Sequence, residues 1–485
     1  MHQQTDVYLV HRLFAIYIGC GSVARKFHGL SPFSGNRIAV PGNAYAITKR
    51  LIQTMTWTDG LTRRSTDVRT TLRLFFCSSY RFILSATRHR PLRAMQPQLD
   101  QNETGQSSPD RACSELLRAI VRPSVTDLEI RELAGNIHDW GETLRVAKQH
   151  RVVPMLFSRL TQADAPIPPQ AQEQLQSEYR RNLFHCMANA AELIALLKVF
   201  EAQTIPIMPF KGVVLAASIY GDHTARTAGD LDLLVHPRDL QRATQLMIDR
   251  GYTLHTPTNA DFSPANPDDC EYHFERRSDG MVAELRWKLE LVWRRFEHDL
   301  GMDWGWPRRR TATLAGATVP DLDAETTLLL LCMHGSKHVW ARLAWIVDVA
   351  QLLTSWPLLN WKRIELEARR TGLWPSLAFG VLLAHRVAGA PVPALVLRRF
   401  ESSSVRKLAQ HIDANLFDSP GSVPPGSIPY IFRILGFREQ LRLLLSLDLF
   451  KPTERDRAAI ALPRRLQILY YIVRPLRLLF DRSPR

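Results

Sequence analysis

Apolar residues recur at helical spacing over most of this chain and give way to strand-like patterns only in its middle. Residues 114–121, 128–137 and 140–160 carry apolar positions three or four apart, which predicts helices. Pro166-Ile167-Pro168-Pro169 interrupts that run. A long helix is predicted next, over residues 170–202, with Leu183, Ala190, Leu193, Leu197 and Phe200 on one stripe. The pattern then shortens. Residues 205–210 read as a strand with two prolines, which suits a sheet edge. Residues 213–220 read as a short helix, 222–229 as a polar loop, and 231–235 as a buried strand. Residues 237–250 form an amphipathic pattern with Pro237 at its start and Gly251 at its end, a helix with both terminal signals. Residues 256–269 read as a loop. Residues 271–276 and 281–287 read as strands joined at Ser278-Asp279-Gly280, a hairpin signal. From 323 to about 412 the helical period returns. Residues 413–429, rich in Pro, Gly and Ser, read as a linker, and 463–480 is the strongest helix of a basic C-terminal region. No internal repeat is visible.

The middle is therefore a small β-α-β-α-β-β unit between helical regions. The fold class expected is α/β (α+β), a core with a small mixed sheet flanked by mainly α-helical N- and C-terminal regions. The predicted organisation is an upstream segment over 1–94, a polar linker over 95–111 and a helical region over 112–202. A catalytic-type core over 203–300 follows, then a helical domain over 320–412, the 413–429 linker and the helical region over 430–485.

Composition changes this picture at one place. Hydrophobic residues make up 45% of the chain and charged ones 22%, as in an ordinary globular protein. No uninterrupted apolar run reaches the roughly 18–20 residues of a membrane span. The net charge of +15 would invite a nucleic-acid partner. Residues 1–94, however, hold 14 Lys and Arg against three Asp and no Glu, or +11, which leaves +4 for the other 391 residues. That small remainder argues against nucleic acid as a partner of the patterned region. The segment itself fits a disordered basic arm, a targeting presequence, or sequence upstream of a true start at Met95; the change of composition at a methionine favours the last. Six scattered cysteines without a CxxC spacing predict no disulfide framework and point to a reducing cytoplasm.

The chemistry concentrates around Asp230 and Asp232. Side chains at i and i+2 of a strand share a face, so the two carboxylates would project together. Like charges held that close need a cation between them, which reads as a site for a metal-bound nucleotide. Lys211-Gly212 lies eighteen residues before Asp230. Glu284, between apolar neighbours in Val282-Ala283-Glu284-Leu285-Arg286-Trp287, is the candidate third carboxylate, because an unpaired mid-strand glutamate is costly to bury. Gly19-Cys20-Gly21-Ser22 has no strand-then-helix context and is discarded as a phosphate loop.

Lys211-Gly212, Arg226, Asp230-Leu231-Asp232-Leu233-Leu234-Val235, Gly251-Tyr252 and Glu284-Leu285-Arg286-Trp287 together resemble the nucleotidyltransferase fold of the DNA polymerase beta superfamily. They are most similar to an uncharacterised nucleotidyltransferase family of bacterial proteins, and similar also to toxin-type nucleotidyltransferases with a Lys-Gly signature. The helical run from His334 through Gly335, Lys337, His338, Trp340, Arg342 and Trp345 to Asp348 matches as well. The resemblance covers about residues 112–480. It implies two Mg²⁺ ions on Asp230, Asp232 and Glu284, with an NTP, ATP first among them, as substrate. Lys211, Gly212 and Arg226 would hold phosphate. A nucleoside monophosphate would pass to a hydroxyl or phosphate of a small-molecule, glycan or protein acceptor, and pyrophosphate would leave. A catalytically reduced nucleotide-binding scaffold or regulatory protein is the alternative. Two departures stand out. The superfamily's usual loop is Gly-Gly or Gly-Ser, whereas Lys211-Gly212 keeps one glycine and offers an ammonium in place of the hydroxyl; Arg286 stands where the family often has a histidine.

Plainer readings accompany each residue. Asp230 and Asp232 could cap a solvated strand end, Glu284 could pair with an arginine on an edge strand, and Lys211 and Arg226 could be solvated loop cations. His334, His338 and Cys332 are too few and too scattered for zinc; Lys337 and His338 read as substrate-facing, Trp340 and Trp345 as core. Asp348, alone in an apolar helix, is expected to pair with Arg342 or Lys337. The 463–480 helix, with Arg464, Arg465, Arg474 and Arg477, fits either peripheral membrane contact or a docked helix with arginine stems along its rim.

Overall fold

The computed structural model describes residues 110–265, 269–289, 300–417 and Tyr470. The chain divides after Met95 into two units, and every described residue belongs to the second. The expectations for residues 1–94, for the 413–429 linker beyond residue 417 and for the 463–480 helix other than Tyr470 lie outside the described residues.

Four helices open the described region: α1 (Arg111–Ala119), α2 (Asp127–Gly135), α3 (Trp140–Gln149) and α4 (Val153–Gln162). Thr126 and Glu129 close a capping box on α2, and Asp139 accepts the Glu142 N–H at the start of α3. The single helix expected over 140–160 is thus two. Pro154 sits in the first turn of α4, where proline suits a helix start, and Arg151 turns the chain with φ +56°. A tertiary anchor fixes the break: His150 Nδ1 accepts the Leu343 N–H at 3.1 Å, and the His150 carbonyl accepts the Ala344 N–H at 3.2 Å.

The 34-residue helix α5 (Pro169–Ala202) leads to β1 (Ile207–Pro209), α6 (Gly212–Tyr220), β2 (Leu231–Val235), α7 (Leu240–Asp249) and β3 (Thr253–Leu254). β4 (Glu271–Arg276) and β5 (Met281–Arg286) form the expected hairpin. The sheet order is β1-β2-β5-β4-β3, and the proline-bearing strand is at an edge, as its missing donor requires. Only β2 and β5 run parallel, which makes the sheet mixed. A second hairpin, β6 (Arg309–Leu314) and β7 (Ala317–Leu322), was not legible from the sequence patterns above.

The period of two in the strands divides the sheet into two faces. Leu231, Leu233 and Val235, with Ala283, Leu285, Tyr272 and Phe274, pack against Leu193 and Phe200 of α5 and Met247 of α7 in one core. Residues of the opposite parity include Asp232, Glu284, Arg286, Glu271 and His273, so that face is charged, with Leu234 an apolar exception. The same core explains a departure from expectation. An 18-residue window of α5 reaches a mean hydropathy of 1.5, long and apolar enough by length and composition to cross a membrane. Its stripe of Cys186, Ala190, Leu193, Leu196 and Phe200 is buried beneath the sheet.

Helices resume with α8 (Ala324–Lys337), α9 (Leu343–Ser355), α10 (Trp361–Arg370), α11 (Trp374–Ala388), α12 (Ala394–Phe400) and α13 (Ser403–Ala414). They share a larger core with α1–α4, to which Leu234 of β2 also belongs.

Candidate functional site

The carboxylates meet through strand register. Asp232 is the β2 partner of Glu284 on β5, and Glu284 is the β5 partner of His273 on β4, so the three form a row across the sheet. Asp230, two residues before Asp232, precedes the strand. Burial and the charge of Asp232 raise the pKa of Asp230 above the usual carboxylate range. Burial, Asp232 and Asp230 push Glu284 up to about 7, against the pull of His273 and Lys211.

Protein cations already stand among these acids. Arg286 pairs with Glu284 and Glu271, and its Nε lies 3.5 Å from Asp232 Oδ1. Lys211 Nζ lies 3.4 Å from the same oxygen. Asp230 forms no ion pair among the described residues. Nor do three Asp, Glu, His or Cys side chains there close into a ready metal cage. The expected three-ligand set of Asp230, Asp232 and Glu284 is therefore brought to one region but not closed, because Arg286 binds Glu284. The donor chemistry still suits a hard divalent ion at Asp230 and Asp232: both offer carboxylate oxygen, and the charge of Asp232 raises the cost of ionising Asp230. Mg²⁺ takes its remaining ligands from water and phosphate.

The Lys-Gly turn is built like a glycine loop. Lys211 has φ +74° and ψ −152°, a region otherwise populated almost only by glycine, and Gly212 follows at φ +52°. A Cβ on Gly212 would lie 3.3 Å from the Asp230 carbonyl oxygen, so glycine lets the turn approach the aspartate segment. Arg226 braces it. Its Nη1 donates to the Gly212 carbonyl at 3.1 Å, while Nε and Nη2 donate to the two oxygens of Asp348 at 3.1 and 2.9 Å. Tyr220 adds a hydroxyl to Asp348 at 3.0 Å. Two expectations change here. Asp348 pairs with Arg226, not with Arg342 or Lys337. Arg226, expected on phosphate, has its guanidinium bound to Asp348 and to the Gly212 carbonyl. The reason is burial: a carboxylate 1% exposed in α9 needs a bidentate partner.

The end of α8 faces the same region. Burial holds the His334 pKa well below its ordinary value, aided by the charges of Lys211, His338, Lys337 and Arg286. The His334 ring meets those of His338 and Trp345 at centroid distances of 4.6 and 5.3 Å. After Lys337 the chain reverses through Val339 and Trp340, both at positive φ. The Trp340 indole folds back between two glycines: a Cβ on Gly335 would lie 2.4 Å from it, and one on Gly380 2.8 Å. This fixes the α8–α9 turn that carries Arg342, whose guanidinium lies over the Trp345 ring at 5.2 Å.

The model of the family described as "Uncharacterised nucleotidyltransferase" matches residues 136–389, just over half of the chain. The chain belongs to that family. The matched span holds every residue named in this site. An antigenic nucleotidyltransferase-like protein from Paracoccidioides brasiliensis is similar at 15% identity and a TM-score of 0.28, over 43% of this chain and 96% of its own. No curated protein matches the chain.

In this member of the family the structure unites Lys211, Gly212, Asp230, Asp232 and Glu284, with Lys337 and His338 at the neighbouring helix end. The sequence patterns missed three members. Arg286 was noted only as a departure, yet it lies among the acids. Arg151 was hidden inside one long predicted helix; Pro154 was the signal that could have exposed the break. Arg342 was read as a partner for Asp348.

Proposed function

We propose that this chain transfers a nucleoside monophosphate from an NTP to a hydroxyl or phosphate oxygen of an acceptor and releases pyrophosphate. The carrying observation is the Asp232–Glu284 register, with Asp230 and the glycine-type Lys211-Gly212 turn beside it. Asp230 and Asp232 would hold a divalent ion, which would supply positive charge to offset the triphosphate and would lower the pKa of the acceptor hydroxyl. Lys211 neutralises phosphate charge from the turn. Arg226 keeps that turn in place through Gly212 and Asp348. The acceptor oxygen bonds to the α-phosphorus as the bond to the bridging oxygen breaks, and pyrophosphate leaves with the electron pair. Glu284, its pKa raised, is suited to take the acceptor's proton.

The test is incubation of the full chain with each α-labelled NTP, Mg²⁺ and candidate acceptors. Label should move to acceptor or protein, and Asp232→Asn should lower the rate about a thousandfold. Label transfer undiminished in that variant would sink the reading. The pairing of Arg286 with Glu284 favours a second reading, a nucleotide-binding scaffold without turnover. Nucleotide binding that is indifferent to Asp232→Ala, with no labelled product, would select it.

A further inference from the structure

Two arginines outside the sheet come near each other, and Asp230 is the acid that acts on both. Arg151 sits in the break between α3 and α4, and Arg342 at the start of α9. The backbone and imidazole of His150 bind the N–H groups of Leu343 and Ala344, so the residues before and after these contacts are held side by side. Both arginines are half-buried, and neither forms an ion pair with any described residue. Arg151 lies against Gly229, where a Cβ would stand 3.9 Å from both Nη atoms, and Gly229 adjoins Asp230. Burial and the neighbouring Arg342 lower the Arg151 pKa; Asp230 is the first acid to oppose them. Arg342 likewise has Asp230 as its sole opposing influence. The His150 bonds set the backbone next to Arg151, and the Trp340 latch sets the turn that precedes Arg342.

A like-charged, partly desolvated pair needs an anion for the same reason that Asp230 and Asp232 need a cation. Guanidinium groups match phosphate oxygens with paired, charge-assisted hydrogen bonds. We infer that Arg151 and Arg342 form a polyphosphate clamp that takes the β- and γ-phosphates of the donor beside Asp230. The clamp rests on the nucleotidyltransferase reading of the site for its substrate, though not for its affinity for phosphate. It draws one residue from each helical region that flanks the sheet, so docking of the triphosphate ties those regions across the centre. A phosphorylated acceptor offers the same oxygen chemistry; the position next to Asp230 selects the donor.

Isothermal titration of the full chain with tripolyphosphate and with orthophosphate, both without divalent ions and at low salt, tests this directly. Tripolyphosphate should bind at least about tenfold more tightly than orthophosphate. Arg151→Gln and Arg342→Met should each weaken tripolyphosphate about tenfold, and neither should lower Tm, since each removes a repulsion. Asp230→Asn should abolish transfer yet tighten metal-free tripolyphosphate binding. Unchanged affinity in both arginine variants would overturn the clamp. So would a lowered Tm with binding intact, which marks structural braces, and so would a preference for orthophosphate, which moves the site to an acceptor. Asp232-dependent transfer with clamp-independent binding removes the clamp alone. Clamp-dependent binding with no transfer from any NTP removes the catalytic reading alone.

Discussion

On the sheet face, Asp232 and Glu284 have cations beside them, Lys211 and Arg286; on the helical turns, Arg151 and Arg342 have no acid of their own among the described residues. Both sets gather like charge at partly buried positions. The acids are largely neutralised from within the sheet and its entering turn. The arginines are held by backbone and imidazole contacts that supply no charge at all. A divalent ion must therefore compete with two side chains, whereas an anion meets arginines that form no ion pair among the described residues and competes only with the nearby charge of Asp230. The difference gives the two sides separate dependences, which substitutions can take apart.

The largest effect is expected on the arginine side. Gly335→Ala would place a methyl 2.4 Å from the buried Trp340 indole, which is 0% exposed and closed on its far side by Gly380. Overpacking of this kind costs about 1–3 kcal/mol. The α8–α9 turn should shift and take Arg342 with it. Thermal denaturation should show a lower Tm, and tripolyphosphate affinity should fall while the Asp232–Glu284 register is untouched. Gly135→Ala is the control, because a Cβ there meets nothing within 4 Å. If both variants kept wild-type Tm and affinity, the latch would have no part in holding the arginine.

How much of this was legible depended on whether one strand's own period carried the information. Alternation around Asp230, Asp232 and Glu284 fixed which side chains share a face, since a strand reports its faces locally. The edge placement of β1 followed from its prolines in the same way. The partner of Asp348 did not follow. A buried carboxylate announces a need for a cation, but Arg342 and Lys337 lay nearer in the chain, and only packing selects Arg226, 122 residues away. The α3–α4 break was hidden by an apolar period that runs through it, while the bonds from Leu343 and Ala344 to His150 act across nearly two hundred residues. The β6–β7 hairpin turns at Ala315 and Gly316, both at positive φ, a weak signal beside the stronger helical pattern that follows.

The acidic side should reveal itself through pH. Glu284 and Asp230 both have folded pKa values raised above their unfolded ones. Between the ordinary carboxylate range and about pH 7 the folded protein thus holds protons that the unfolded chain has released. Stability must then fall as pH rises through that window. For Glu284 the expected loss is roughly 3 kcal/mol in metal-free protein. Glu284→Gln should flatten the Tm slope between pH 5 and about pH 8, and added Mn²⁺ should restore more stability at the upper end than the lower, because the ion replaces the proton. A Glu284→Gln slope that matches wild type would mean that Arg286 already neutralises the acid completely.

Lys211 links the two sides, and the smallest effect is expected there. Its backbone occupies a glycine region, which costs on the order of 1–3 kcal/mol for a residue with a side chain. Its ammonium contact with Asp232, at 3.4 Å, stabilises the fold by no more than about 1 kcal/mol. Lys211→Ala keeps the strain and loses the contact. Lys211→Gly relieves the strain, loses the contact, and adds about 0.5–1 kcal/mol of chain entropy to the cost of folding. The glycine variant should therefore match or slightly exceed wild type in denaturant stability and exceed the alanine variant by about 1 kcal/mol. Both should bind tripolyphosphate more weakly than wild type, because the turn would keep its shape and lose its charge. Equal stability of the two variants would show that the turn is unstrained, and that lysine stands there without the conformational cost that points to selection for its ammonium.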